Sequence, residues 1–104
     1  MNALDLDQDA FLKAVEATSM PAEAFDHRAH LRLAWICLRR GEGGRVAGLI
    51  QAFAVSKGAA RKFDAALTEA WMERMRRALA KAPDADFEAF LAQTPELTRP
   101  TRTA

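Results

Sequence analysis

Hydrophobic residues recur at helical spacing in five successive segments of the chain. Their apolar positions follow the i, i+3, i+4, i+7 rule, which places them on one side of an α-helix. The predicted helices run from about 6 to 18, 26 to 40, 45 to 57, 61 to 81 and 87 to 93. No segment alternates apolar and polar residues with β-branched side chains, as a half-buried strand does. The pattern therefore predicts an all-α fold.

The residues that flank these segments are typical of helix ends. Asp26 precedes the second helix and either Asp84 or Asp86 precedes the fifth, where a carboxylate accepts hydrogen bonds from first-turn amides. Gly41 and Gly58 follow the second and third helices and suit the left-handed conformation that commonly ends a helix. Because short connections favour antiparallel neighbours, we expect a compact bundle of four main helices plus a short C-terminal helix.

The length and composition indicate one globular unit. A chain of 104 residues fits a single domain that buries roughly two thirds of its unfolded surface. Its 50% apolar and 28% charged residues are typical of a soluble globular protein. We expect a single helical domain over residues 1–97 and a flexible polar C-terminal tail over 98–104.

The apolar stretches and the single cysteine favour a cytoplasmic protein. The longest nearly apolar segment, VAGLIQAFAV, is about half of the ~20 residues that a membrane-spanning helix needs. Asp5, Asp7 and Asp9 precede any basic residue, unlike the basic start of a secretory signal. Cys37 has no second cysteine with which to form an intramolecular disulfide. We therefore expect no membrane span and a cytoplasmic location.

Charge is unevenly distributed along the chain. Residues 1–27 contain six acids and one base, whereas residues 28–62 contain eight bases and one acid. The two segments are expected to pair within the fold, and an acidic partner for the basic segment is the alternative. Nucleic acid is disfavoured, because the helix after GEGG offers few side chains able to read base edges. These are Arg45, Gln51, Ser56 and Lys57.

The fourth predicted helix carries a second group of basic residues. Arg74, Arg77 and Lys81 lie along one of its faces. Glu73 precedes Arg77 by four residues, which is the spacing of an ordinary stabilising ion pair on a helix. The sequence therefore predicts a solvated face here.

Both histidines of the chain lie in the stretch FDHRAH. His27 and His30 are three residues apart, which separates their rings by about 4.5 Å along a helix axis and allows one ligand or ion to contact both. Cys37 lies roughly 10 Å further along, too far to join the same coordination sphere at bond lengths near ~2 Å. The structural alternative is that one imidazole has a backbone partner in the core while the other caps the helix or faces water.

A polar and aromatic face of the fourth helix is the natural complement to the histidine pair. Asp64, Thr68 and Trp71 share this face at i, i+4 and i+7. If it faces the histidines, His27, His30 and Asp64 form either a site for a divalent metal or an acid/base cluster beneath two buried tryptophans. Alternatively, Thr68 bonds its own helix and Asp64 serves near that helix's N-terminus. The candidate ligand-binding residues are His27, His30, Trp35, Asp64, Thr68 and Trp71.

Three segments, PAEAFDHRAHLRLAWICLRRG, RKFDAALTEAW and DFEAFLAQTPEL, together resemble a family of small, all-helical, uncharacterised bacterial proteins. The similarity spans most of residues 20–97, and the family's first motif is F-x-H-x-x-H-L-x-x-A-W. In its later motif, Y-H-x-T-x-T-x-x-W, Thr68 and Trp71 match, whereas Phe63, Asp64 and Ala66 replace tyrosine, histidine and threonine. The resemblance implies a helical fold and a pocket but no reaction. The first motif is matched by Phe25, His27, His30, Leu31, Ala34 and Trp35.

Two functions follow from these observations and both stay open at this point. The first is the binding of a small ligand or a metal in a polar pocket between the second and fourth helices, with or without catalysis. The second is a helical interaction or regulatory module, which would fit a homodimer, in which the histidines are purely structural.

Overall fold

The computed structural model describes residues 8–98, which form α-helices and short 3-10 helices without a strand. The predicted all-α class is confirmed. Within the described residues, no helix combines the length and apolar content needed to cross a membrane. The first two residues of the first predicted helix and residues 99–104 of the predicted tail lie outside this range. The α-helices are α1 (Gln8–Glu16), α2 (His27–Arg39), α3 (Val46–Ser56), α4 (Ala65–Lys81) and α5 (Phe87–Gln93).

Short 3-10 helices occupy most of the connections. Ala22–Ala24 precedes α2, Gly43–Arg45 precedes α3, Ala60–Lys62 precedes α4, and Pro95–Thr98 follows α5. The first begins after Pro21, as expected for a proline at a helical start. The last was not predicted, and it returns the chain to α2.

Aspartates begin the helices, as expected. The carboxylate of Asp26 accepts a hydrogen bond from the amide of Ala29 at 2.9 Å, and that of Asp86 from the amide of Ala89 at 2.8 Å. Each bond satisfies a first-turn N–H group that has no partner within its own helix. The predictions for Asp26 and Asp86 are confirmed.

Glycine ends α2 by a defined hydrogen-bonding pattern. Gly41 has a φ of 72° and its amide donates to the carbonyl of Leu38 at 3.1 Å, while the amide of Glu42 donates to that of Cys37 at 2.7 Å. These two bonds make a Schellman motif, which requires the left-handed conformation that glycine takes without strain. The prediction for Gly41 is confirmed.

The start of α4 differs from the prediction. The periodicity placed it near Arg61, but residues 60–62 form a separate 3-10 helix and Phe63 is extended with φ −75° and ψ 128°. Asp64 then caps α4 by accepting from the amide of Leu67 at 2.9 Å. An aspartate competes well for an N-cap position, because its side chain replaces the missing backbone acceptor. The spacing of hydrophobic residues does not indicate this N-cap preference of aspartate.

Helix α2 lies at the centre of the molecule. Its residues 31–37 are all buried, and it contacts α3, α4 and the last 3-10 helix. A helix that is buried on almost every side must be surrounded by other elements. The N-terminal half of α2 is therefore held between α3 and α4, which positions the two histidines.

The predicted attraction between the acidic and basic segments occurs within the fold. Arg40 pairs with Asp9 at 2.7 Å, and Arg45 pairs with Glu16. These side chains are well exposed to solvent, and exposed ion pairs typically contribute about 0–1 kcal/mol. Charge pairing thus orients α1 against the end of α2, whereas burial of the core supplies most of the stability.

Candidate functional site

A cavity of about 350 Å³ lies between α2, α3 and the start of α4. It is lined by five of the six residues predicted as a site: His27, His30, Asp64, Thr68 and Trp71. The helical repeat explains this convergence, since the α2 residues lining the cavity lie at positions 27, 30, 31 and 34 and share one face. The remaining wall is largely apolar. It includes Phe25, Leu31, Ile50, Phe63, Met72 and Met75.

The two tryptophans occupy different environments. Trp35 is only 4% exposed and packs on Phe87 of α5, with ring centroids 5.6 Å apart; it does not line the cavity. Trp71 is half-buried at the cavity wall. The prediction that both tryptophans are largely buried is therefore confirmed for Trp35, whereas Trp71 packs against the core with part of its ring left at the cavity. Periodicity assigned Trp71 to the inner side of α4, but that side meets a cavity at this point.

Backbone contact and stacking fix the orientation of the His30 ring. Its Nδ1 atom lies 2.7 Å from the carbonyl oxygen of Asp26, and because a carbonyl only accepts, Nδ1 carries the proton. The ring stacks on Phe25 with centroids 4.0 Å apart and an interplanar angle of 22°. Phe25 is itself buried against Phe53 at 4.5 Å. This leaves Nε2 of His30 as the ring nitrogen available to a ligand.

Burial lowers the pKa of His30 below its ordinary value, since desolvation penalises the imidazolium ion. The hydrogen bond to the Asp26 backbone opposes this shift, and the nearby His27 adds to it. A pKa below the usual value leaves the ring neutral at pH 7. Nε2 of His30 is therefore a hydrogen-bond acceptor at this pH.

His27 has a structural contact that the sequence did not reveal. Its Nε2 atom donates to the carbonyl oxygen of Leu97 at 2.8 Å, joining residues that are 70 positions apart. The edge of the ring also meets Trp71, with centroids 5.0 Å apart. His27 therefore ties the start of α2 to the last 3-10 helix and to α4 while it lines the cavity.

Asp64 and Thr68 follow the structural alternative raised by the sequence. The Asp64 carboxylate is exposed and caps α4, so it needs no buried counter-charge. The hydroxyl of Thr68 donates to the backbone carbonyl of Asp64 at 2.9 Å. Both residues line the cavity, but their best-defined polar contacts are made within their own helix.

The three predicted metal ligands line the same cavity but do not form a metal-binding group. Among residues 8–98, no three His, Cys, Asp or Glu side chains lie close enough to hold a metal ion together. Nε2 of His27 donates to the Leu97 carbonyl, and Oδ1 of Asp64 accepts from the Leu67 amide. The arrangement therefore does not assemble the set of His27, His30 and Asp64 that the sequence suggested.

Several contributors to the cavity were not predicted from the sequence. Ile50 belongs to α3 and lines the cavity. The sequence predicted a pocket between the second and fourth helices and assigned no wall to the third. Met72 and Met75 extend the α4 wall and follow Thr68 at helical spacing, so the periodicity contained a signal for them. Lys62 lies at the cavity in the 3-10 helix before α4, and a short turn of this kind has no comparable pattern.

Comparisons with protein-family models, with curated proteins and with solved structures each found no match. The resemblance to small helical bacterial proteins therefore stays a prediction from the sequence. The argument for a function depends on the cavity itself.

Proposed function

We propose that the protein binds a small, mostly apolar organic molecule in the cavity beside His30, and that the ligand presents a hydrogen-bond donor to Nε2 of this residue. The observation that carries the proposal is the fixed imidazole of His30 at the cavity wall: its Nδ1 donates to the Asp26 carbonyl, which leaves Nε2 for a ligand. The volume of about 350 Å³ falls at the lower end of the usual range of ligand pockets, about 300–1,000 Å³.

The apolar side chains of the cavity wall are suited to an aromatic or branched aliphatic ligand. Phe63, Ile50 and Met72 offer apolar surface, and methionine adapts to irregular shapes better than branched side chains do. An apolar cavity of about 150 Å³ is already large enough for benzene. A substituted ring with one hydroxyl therefore suits this cavity in both size and chemistry.

The proposal is limited to binding. In residues 8–98, neither ring nitrogen of His30 is hydrogen-bonded to a second titratable side chain; its polar contact is a backbone carbonyl. An acid/base mechanism commonly needs a partner that orients the base or supplies a second proton transfer. The carboxylate expected in that role, Asp64, caps a helix instead.

A pair of matched probes tests the proposal. para-Cresol and para-xylene have nearly the same size, but only para-cresol carries a hydroxyl that can donate to His30. Their dissociation constants can be measured by NMR on the wild-type protein and on His30→Phe. Losing one neutral hydrogen bond should shift the ratio of the two constants towards para-xylene by about 3- to 10-fold.

The control is His27→Phe, which also replaces an imidazole at the cavity wall but leaves His30 in place. We expect this variant to keep the wild-type ratio of dissociation constants. Absence of saturable binding by both probes, or an equal ratio in wild type and His30→Phe, contradicts the proposal.

Self-association stays a prediction from the sequence. Of the large hydrophobic side chains that the structure describes, Val55 is 58% and Leu67 is 43% exposed. Single exposed hydrophobic residues are common on monomers. Light scattering coupled to size-exclusion chromatography measures the mass directly, and a value twice that of the chain would support a homodimer.

A further inference from the structure

A second cleft lies between α4 and the last 3-10 helix, and it is lined by basic residues. It encloses about 480 Å³. Arg74, Arg77 and Lys81 of α4 all line it. They lie at i, i+3 and i+7, so they share one face of the helix and extend over about 10 Å of its axis.

The ion pairing on α4 differs from the sequence prediction, and within residues 8–98 it includes none of these three cations. Glu73 was expected to pair with Arg77, but it pairs with Arg76 at 3.1 Å. In the described part of the chain, Arg77 and Lys81 form no ion pair with a carboxylate. Spacing alone could not predict this outcome, because i+3 and i+4 partners are equally accessible on a helix surface.

Arg74 is held in place by an aromatic ring. Its guanidinium lies over Trp71, 5.1 Å from the ring centroid. A guanidinium stacked on an aromatic face keeps its N–H groups free for hydrogen bonds at its edge. Arg74 therefore remains available to an anion while it is ordered by Trp71.

The opposite wall of the cleft is polar and carries one acid. Gln93 lies there with its side chain exposed, and Glu96 is also exposed and lines the cleft. The three cations and this one carboxylate give the cleft a net charge of +2. Thr94 adds no donor, because its hydroxyl is committed to the carbonyl of Phe90 at 2.7 Å.

We propose that this cleft binds a small phosphorylated anion that contains at least two phosphoryl groups. Arginine pairs with phosphate through two parallel N–H···O bonds, which gives it strong and directional contacts with this group. Cations spread over about 10 Å of helix suit an extended chain of phosphoryl groups better than a single phosphate. This proposal does not rest on the ligand proposed for the His30 cavity.

Calorimetric titration with sodium tripolyphosphate tests this site. We expect saturable one-to-one binding by the wild-type protein and weaker binding of pyrophosphate. Arg77→Gln and Lys81→Gln should each weaken tripolyphosphate binding by about tenfold, since each removes a charge-assisted contact. Both side chains are exposed, so the fold should persist, and circular dichroism checks this for each variant.

Arg76→Gln is the matched control, because it removes the same charge from the same helix but from a residue that does not line the cleft. It should weaken binding less than threefold. An equal loss in Arg76→Gln would reveal a general charge effect and overturn the proposal, as would the absence of saturable binding. Tighter binding of a hexaglutamate peptide than of tripolyphosphate would also overturn it, by assigning the cleft to an acidic protein segment.

Discussion

Replacing His27 by alanine should destabilise the fold, because this side chain joins three elements. Its Nε2 atom donates to the carbonyl of Leu97 at 2.8 Å, and its ring edge meets Trp71 with centroids 5.0 Å apart. The substitution removes both contacts and leaves the Leu97 carbonyl without its imidazole donor. The last 3-10 helix then loses a link to the start of α2.

The expected loss in the free energy of unfolding follows from the two contacts of His27. A partly buried neutral hydrogen bond contributes about 0.5–1.5 kcal/mol to stability, and an aromatic pair contributes about 0.5–1.5 kcal/mol beyond its buried area. His27→Ala should therefore lower the free energy of unfolding by about 1–3 kcal/mol. His27→Phe keeps a ring against Trp71 and should lose only the hydrogen bond, about 1 kcal/mol.

Urea denaturation at pH 8, followed by circular dichroism, measures these differences. For a domain of about this size, a loss of 1 kcal/mol also lowers the Tm by about 4–8 °C. A loss below about 0.5 kcal/mol for His27→Ala, the level of an ordinary surface substitution, would refute the structural role of this residue. Equal losses for the alanine and phenylalanine variants would show that the contact with Trp71 contributes nothing.

Three further outcomes are expected. Trp35→Ala removes a buried aromatic side chain and should lower the free energy of unfolding by about 3–5 kcal/mol. Trp71 is only partly buried, so Trp71→Ala should lower it clearly less in the same urea assay. The reverse order would contradict the packing. Asp64→Ala removes the cap of α4 and should lower the free energy of unfolding by about 0.5–2 kcal/mol. It should leave the NMR titration of His30 unchanged. Because burial lowers the folded-state pKa of His30, the unfolded chain takes up this proton first, so the contribution of His30 to the free energy of unfolding should be constant above about pH 6.5 and fall below it. His30→Phe should remove that part of the pH dependence, and an unchanged unfolding profile would contradict it.

The periodicity of the sequence was sufficient to predict two of the faces that form the cavity, those of α2 and α4. His27 and His30 on α2, and Thr68 and Trp71 on α4, share faces that the helical repeat determines, and the structure brings these faces together. Periodicity did not determine how deeply each face is buried. Trp71 packs against the core but is only partly buried, because one side of its ring lines the cavity, and Trp35 packs on Phe87 of α5.

The partners of the histidines could not be predicted for a different reason. His27 donates to the backbone carbonyl of Leu97, 70 positions away, and a backbone carbonyl is present at every residue. The residue type of Asp64 is typical of a helix N-cap. The helical spacing of hydrophobic residues, however, continues into the preceding 3-10 helix and therefore predicted an earlier start for α4. A contact with a backbone group far away in the sequence has no signature in the local residue pattern and cannot be predicted from it.

The ring nitrogens of His30 provide the most direct test of the proposed ligand site. Long-range ¹H–¹⁵N NMR on the labelled protein reports the protonation of Nδ1 and Nε2 across a pH titration, with and without para-cresol. We predict a neutral ring with the proton on Nδ1 at pH 7, a pKa below about 6.5, and a change in the Nε2 shift together with a further lowering of the pKa when para-cresol binds. A proton on Nε2 at pH 7, or a titration at the ordinary value that para-cresol does not alter, would contradict the account.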